Sequence, residues 1–223
     1  MRIPPPDALK PRKTPIQARS AATVDAITKA AIQVLLAEGG RRLTTTRVAE
    51  RAGVSVGSMY QYFPHKQALL YALIQQHMAE YVEAFEVACL QLRGRSIASM
   101  SEGIVNAFVD EKIRQPDVSR ALYKIAAELD TDELRIGISK RLQDACSALL
   151  ASATDIEFDD LPDVSFTLLT AMNGTMRALF EQGSSAERVE MLRKQLLVLC
   201  RGYLLAATST GRSNEMSGIR SFD

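Results

Sequence analysis

Apolar positions along this chain recur three and four residues apart, and no segment alternates with the period of two that a half-buried strand requires. Val24, Ile27, Ala31, Val34 and Leu35 form the first such stripe, which predicts an amphipathic helix closed by Gly39-Gly40. Thr44 to Thr46 place hydroxyls where a helix N-terminus needs them. RVAERA follows, and Gly53 offers the positive φ on which a short second helix can end. Ser55 predicts the cap of a third helix through Phe63, where Pro64 holds the preceding residue extended. From His65 one long helix is predicted to about Leu92, with Leu70, Leu73, His77, Tyr81 and Phe85 close to a single stripe. Later helices are marked by their starts: Ser96 or Ser101, Pro116-Asp117, Asp130 with Glu133, Pro162, and Ser184 with Glu187. The pattern predicts an all-α protein.

A glycine turn between two short helices is the helix-turn-helix arrangement, in which the second helix enters the DNA major groove and the first crosses the backbone. Ala49 and Val54 are the small apolar contacts expected to hold the pair, while Gly57 and Ser58 keep the front of the second helix slim. Tyr60 and Tyr62 carry phenols able to reach phosphate oxygens, Lys66 adds a point charge, and Phe63 is expected to plug the core beneath.

Charge sharpens this picture. The net charge is only +1, yet residues 1–66 hold eleven Lys and Arg against four Asp and Glu, and the remainder sixteen against twenty-two. A basic N-terminal third on an acidic body suits a polyanionic partner for the former. Arg2, Lys10, Arg12, Lys13 and Arg19, set among prolines, are expected to form a mobile arm over residues 1–22. The arm is able to reach a minor groove.

The stretch LTTTRVAERAGVSVGSMYQYFPHKQALL resembles the DNA-binding signature of the TetR family of bacterial transcription regulators. The match rests on a Thr-x-x-x-Val-Ala start, a central Ala-Gly-Val-Ser, the Tyr-x-Tyr-Phe aromatics and a Lys before a leucine-rich helix, from roughly Thr23 to Leu73. The resemblance implies that Thr45, Tyr60, Tyr62 and Lys66 bind phosphates and that Thr46, Val56, Gly57, Ser58 and Gln61 face the bases. Arg47 lies nearby and is able to point to the DNA backbone. It further implies an N-terminal three-helix DNA-binding domain (23–68), a larger helical ligand-binding and dimerisation domain (69–208), and a homodimer built by the last two long helices as a four-helix bundle. Residues 209–223 are expected to be a disordered tail.

The chain supports the dimer on its own terms. Val164 to Phe180 and Leu196 to Ala207 are apolar on more than one face, which a helix in a small domain buries most simply against a second copy. Asn106, Phe108, Tyr123, Glu128, Asn173 and Arg177 are the polar or aromatic residues amid apolar helices that are candidates to meet an effector; Glu128 and Arg177 are equally able to pair with each other. A hydrophobic or amphipathic small molecule is the expected class.

Other chemistry has little foothold. Cys89, Cys146 and Cys200 are odd in number and outside any CxxC spacing, and neither His65 nor His77 has a second ligand nearby, so no metal or cofactor is expected. No nucleophile, base and orienter pattern points to an enzyme. The N-terminus has no apolar run of secretory type and no stretch approaches a membrane span, so a cytoplasmic location is expected. The reading is a ligand-responsive repressor released from a palindromic double-stranded DNA operator. An accessory DNA-binding protein with no effector is the rival, and a helical dimer working through protein partners is a second.

Overall fold

The computed structural model describes residues 18–208 together with Pro5, Pro6 and Leu9, and within them nine α-helices and no strand. The basic side chains of the expected arm and the 209–223 segment lie outside the described residues. In chain order the helices are α1 (Ala18–Glu38), α2 (Thr45–Ala52), α3 (Val56–Tyr62), α4 (Lys66–Leu92), α5 (Ile97–Ile113), α6 (Pro116–Ala126), α7 (Asp132–Leu150), α8 (Leu161–Gln182) and α9 (Ala186–Ala206).

They form two units. The first holds α1, α2, α3, the start of α4, α6 and the first turn of α7, from Met1–Glu80 and Gln115–Gly137. The second holds the rest of α4 and α7 with α5, α8 and α9, from Tyr81–Arg114 and Ile138–Asp223.

In the first unit, α1 begins at Ala18, earlier than its stripe suggests, and buries Ile27, Ala30, Ala31, Val34 and Leu35. Against the sequence expectation, Ser20–Glu38 does reach the length and apolarity of a membrane crossing, with a mean hydropathy of 1.3. One face of that stretch is the buried stripe, while Asp25 and Lys29 pair in solvent at 2.8 Å. The chain then turns on Gly39 (φ 79), and an added Cβ on Gly40 would meet Ile125 of α6 at 3.6 Å. His77 on α4 bonds Ser119 of α6 at 3.0 Å. Tyr71 is fully buried, and burial, followed by the charges of Glu133 and Asp130, holds its phenol above the usual range.

In the second unit α5 packs on α9, and α8 on α9. Tyr81 meets Phe108 edge-on with ring centroids 5.9 Å apart, and the Lys112 ammonium sits 3.9 Å over the Tyr81 ring. Glu86 of α4 accepts two hydrogen bonds from Arg141 of α7, at 2.9 and 2.6 Å. Cys89, Cys146 and Cys200 are buried free thiols, each pushed up to about 12 by burial.

Helix starts shift slightly from the pattern. Ser96 caps α5, while Ser101 is buried inside it and donates to the Ala98 carbonyl. Ser185, not Ser184, caps α9, and α7 begins after Thr131 rather than at Asp130. Each shift is a residue or two, because neighbouring hydroxyls and carboxylates offer the same cap and packing selects among them.

Candidate nucleic-acid interface

The α2–α3 segment is built from local hydrogen bonds that its sequence specifies. Thr44 holds extended geometry (φ −125, ψ 153) and accepts from the Arg47 amide at 3.3 Å, capping α2. Gly53 is left-handed (φ 66, ψ 29); its amide donates to Glu50 at 3.2 Å and that of Val54 to Ala49 at 3.0 Å. These two bonds make a Schellman ending, which asks for glycine because a Cβ at that φ is strained. Two residues later Ser55 accepts from the Ser58 amide at 3.0 Å and starts α3. Phe63 ends α3 in extended geometry (φ −122, ψ 101), as the following proline requires.

Burial then sorts the faces of α3. Met59 is fully buried, as are Val48, Ala49 and Phe63. Val56, Gly57, Tyr60 and Gln61 are exposed and, at i, i+1, i+4 and i+5, share one face of the helix. Val56 is 40 % and Tyr60 41 % exposed. The only atom near a Cβ added to Gly57 would be Ser55 Oγ, at 3.8 Å, so this surface is open and slim. Ser58 is half-buried with its hydroxyl 2.9 Å from that of Ser55, and Tyr62 is half-buried in the last turn.

The remaining residues of the expected set fall around this face in different ways. Thr46 is exposed in the first turn of α2. Thr45 is 8 % exposed, and its hydroxyl lies 3.2 Å from the Tyr60 hydroxyl. Lys66 donates to the Gly40 carbonyl at 2.6 Å, which ties the start of α4 to the turn after α1 and leaves two N–H donors. Arg47 pairs with Glu38 and donates to the Arg42 carbonyl at 3.3 Å, so its guanidinium is directed at the end of α1. Arg51 donates to Gln33 at 2.8 Å. Gln33 and Glu38 are not among the expected site residues, because the side chains they meet are distant in the chain; Met59 lies four residues before Phe63, the spacing that puts both on the buried face.

The six effector candidates fall in both units. In the second unit, Asn106 accepts from Arg193 at 3.0 Å, Phe108 is fully buried, Asn173 donates to the Leu169 carbonyl of its own helix at 2.9 Å, and Arg177 pairs with Glu181 at 2.8 Å. In the first, Tyr123 is half-buried on α6 and Glu128 is exposed just beyond it. A crevice of about 320 Å³ in the second unit lies instead between α4 and α7, lined by Cys89, Leu90, Arg93, Ala145 and Ala148 beside the Glu86–Arg141 pair.

Residues 27–73 match the family model described as bacterial regulatory proteins, tetR family, and residues 96–204 the model described as tetracyclin repressor-like, C-terminal domain. The chain belongs to the tetR family. That family is one of DNA-binding transcription regulators rather than enzymes, and the helix-turn-helix of α2 and α3 is its reader. The nucleoid occlusion factor SlmA of Haemophilus ducreyi is 30 % identical over 106 residues, 46 % of this chain and 50 % of that protein. The chain thus spans about half the length of the curated relatives it matches first. The fatty acid metabolism regulator protein of Bacillus subtilis is 32 % identical over 60 residues, 27 % of this chain and 31 % of its own. Among solved structures, SmeT, the repressor of the Stenotrophomonas maltophilia multidrug efflux pump SmeDEF, shares the fold with a TM-score of 0.63 and 17 % identity, covering 86 % of this chain and 93 % of that one.

Proposed function

We propose that this tetR-family protein is a homodimeric repressor that binds a palindromic operator through α3 and is released by a small hydrophobic or amphipathic effector. The observation that carries the DNA half is the slim exposed face of Val56, Gly57, Tyr60 and Gln61 on a capped, well-anchored short helix. Gln61 offers an amide suited to adenine, Val56 a methyl surface suited to thymine, and Thr46 a hydroxyl able to donate or accept. Tyr60, Tyr62 and Lys66 are the phosphate contacts that fix the register. Such a protein acts where the chromosome is, in the cytoplasm.

The dimer reading rests on the outer faces of α8 and α9. Met191, Val198 and Leu205, with Gln195 and Gly202 between them, follow one another at four- and three-residue steps and are exposed, Val198 by 70 %. Phe166, Thr170 and Gly174 make a parallel exposed stripe on α8, with nothing within 4 Å of a Cβ added to Gly174. Exposed stripes that carry Phe166, Met191, Val198 and Leu205 are a surface that a second copy covers by two-fold symmetry. The dimer would set two α3 helices one helical turn of DNA, about 34–36 Å, or a multiple of it apart.

Induction needs an effector whose affinity differs between the binding-competent and released states, and α4, one unbroken helix from Lys66 to Leu92, is the natural lever. A second reading is favoured by the SlmA likeness: an accessory DNA-binding protein with no small-molecule effector.

The test is binding of the full chain to its own upstream intergenic DNA, across salt and against unrelated competitor, followed by an effector screen on the complex. A palindrome-selective complex dissolved by an amphipathic compound supports repression with induction. A selective complex that no compound dissolves supports the accessory reading. Binding that ignores sequence and collapses with salt defeats both.

A further inference from the structure

We propose that Thr45 is a positioning residue for Tyr60 and does not itself touch DNA, an inference that rests on α3 being the DNA reader. The family resemblance assigns Thr45 a phosphate of its own. Its surroundings point elsewhere.

Thr45 is 8 % exposed in the first turn of α2, whereas Tyr60 is 41 % exposed on the open face of α3, and their hydroxyls are 3.2 Å apart. Neighbouring side chains leave little freedom for another arrangement. Thr44 is engaged as the cap of α2, and Arg47, two residues on, is held by Glu38 and the Arg42 carbonyl. The N-terminus of α2 is therefore fixed, and the 8 % exposure of Thr45 together with the Tyr60 contact places its hydroxyl.

Proton inventory decides the direction of the bond. A phosphodiester oxygen only accepts, and a phenol has one proton to give. When Tyr60 donates to a phosphate, the bond between Tyr60 and Thr45 must run with Thr45 as donor and the phenolic oxygen as acceptor. Thr45 has then used its only proton and has none for a phosphate. The result is a directed chain, Thr45 to Tyr60 to phosphate, in which each bond polarises the next. Thr45 also removes the alternative in which Tyr60 turns away from the groove, since the ring has only two torsions and its oxygen is held at one end. The bond further joins the start of α2 to α3, so it sets the depth at which the Tyr60 phenol stands beside the bases read by Val56 and Gln61.

The experiment is a double-mutant cycle on the full chain, with affinity read on a duplex of its own upstream intergenic sequence. Tyr60→Phe is expected to weaken binding by about tenfold, and Thr45→Val, which keeps the branched shape and removes the hydroxyl, by about three- to tenfold. In the Tyr60→Phe background, Thr45→Val is expected to cost nothing further, and Thr45→Ser in the wild-type background to restore most of the affinity. Thermal unfolding of each variant separates folding from binding, and Thr45→Ala repeats the cycle should Thr45→Val unfold. Losses that multiply show a direct Thr45 contact and overturn the proposal alone; Thr45→Val with full affinity also overturns it. A wild-type chain that shows no sequence selectivity overturns the reader and this proposal together.

Discussion

In the first unit, short helices are fixed by side chains that reach backbone a few residues away: Thr44 and Ser55 cap α2 and α3, Gly53 closes α2, and Lys66 bonds the Gly40 carbonyl. In the second, α5, α8 and α9, of 17, 22 and 21 residues, are held by apolar faces, with polar links from Arg193 to Asn106 and Asp110 that join positions 87 and 83 residues apart. The two differ in what they leave exposed. The first presents a small mixed surface around Tyr60 and Gln61, and the second a long apolar one from Met191 to Leu205. A reader must hold a few groups to a fraction of an ångström, which dense local bonding does. A partner-seeking or ligand-sensing body needs area and some freedom to repack, which long helices give.

The largest effect that would break this comparison lies on α9. Val198→Glu places a charge in the middle of the exposed stripe, and sedimentation is expected to show a monomer with operator affinity reduced by about a hundredfold or more, as the two readers lose their linkage. A dimer that survives the charge would move the interface elsewhere. Next comes the turn. Gly53→Val forces a branched residue into left-handed geometry and is expected to destabilise the first unit by about 1–3 kcal/mol, seen as a lower unfolding temperature and lost DNA binding. Ser55→Ala removes one cap from α3 and is expected to cost about 1 kcal/mol, with a matching fall in unfolding midpoint. A neutral result there would mean that burial of Met59 alone sets α3.

The effect that is smallest near neutral pH belongs to the second unit's thiols. Burial holds Cys89, Cys146 and Cys200 at about 12 against an ordinary 9.0, so the folded protein keeps its thiol protons where the unfolded chain loses them. Stability is complete below pH 9 and declines as pH rises from 9 towards 12. At pH 8 iodoacetamide is expected to label the native chain no faster than it opens. Rapid labelling would show that this core is looser than its packing implies.

How much of each region was readable follows the same division. Caps and the glycine turn lie within a few residues of one another, so spacing alone exposes them, whereas the base-facing set on α3 is what the family resemblance implies. The side-chain partners of Arg47 and Asn106 lie outside any local pattern: Glu38 is nine residues from the first and Arg193 is 87 from the second. No local pattern announces a partner that far away. The effector candidates show this most clearly: polar residues in apolar helices look alike whether they bond their own backbone, as Asn173 does, or face a cavity.

By itself, then, the sequence determined the helices, the helix-turn-helix and which residues of α3 form one face, because periodicity, caps and φ preferences act over a single turn. Tertiary structure alone decided which polar groups are already engaged, that Thr45 stands behind Tyr60, that the crevice lies between α4 and α7, and which stripes of α8 and α9 stay uncovered. Those facts depend on which helices meet, and that is settled by the summed packing of many distant side chains rather than by any short run of them.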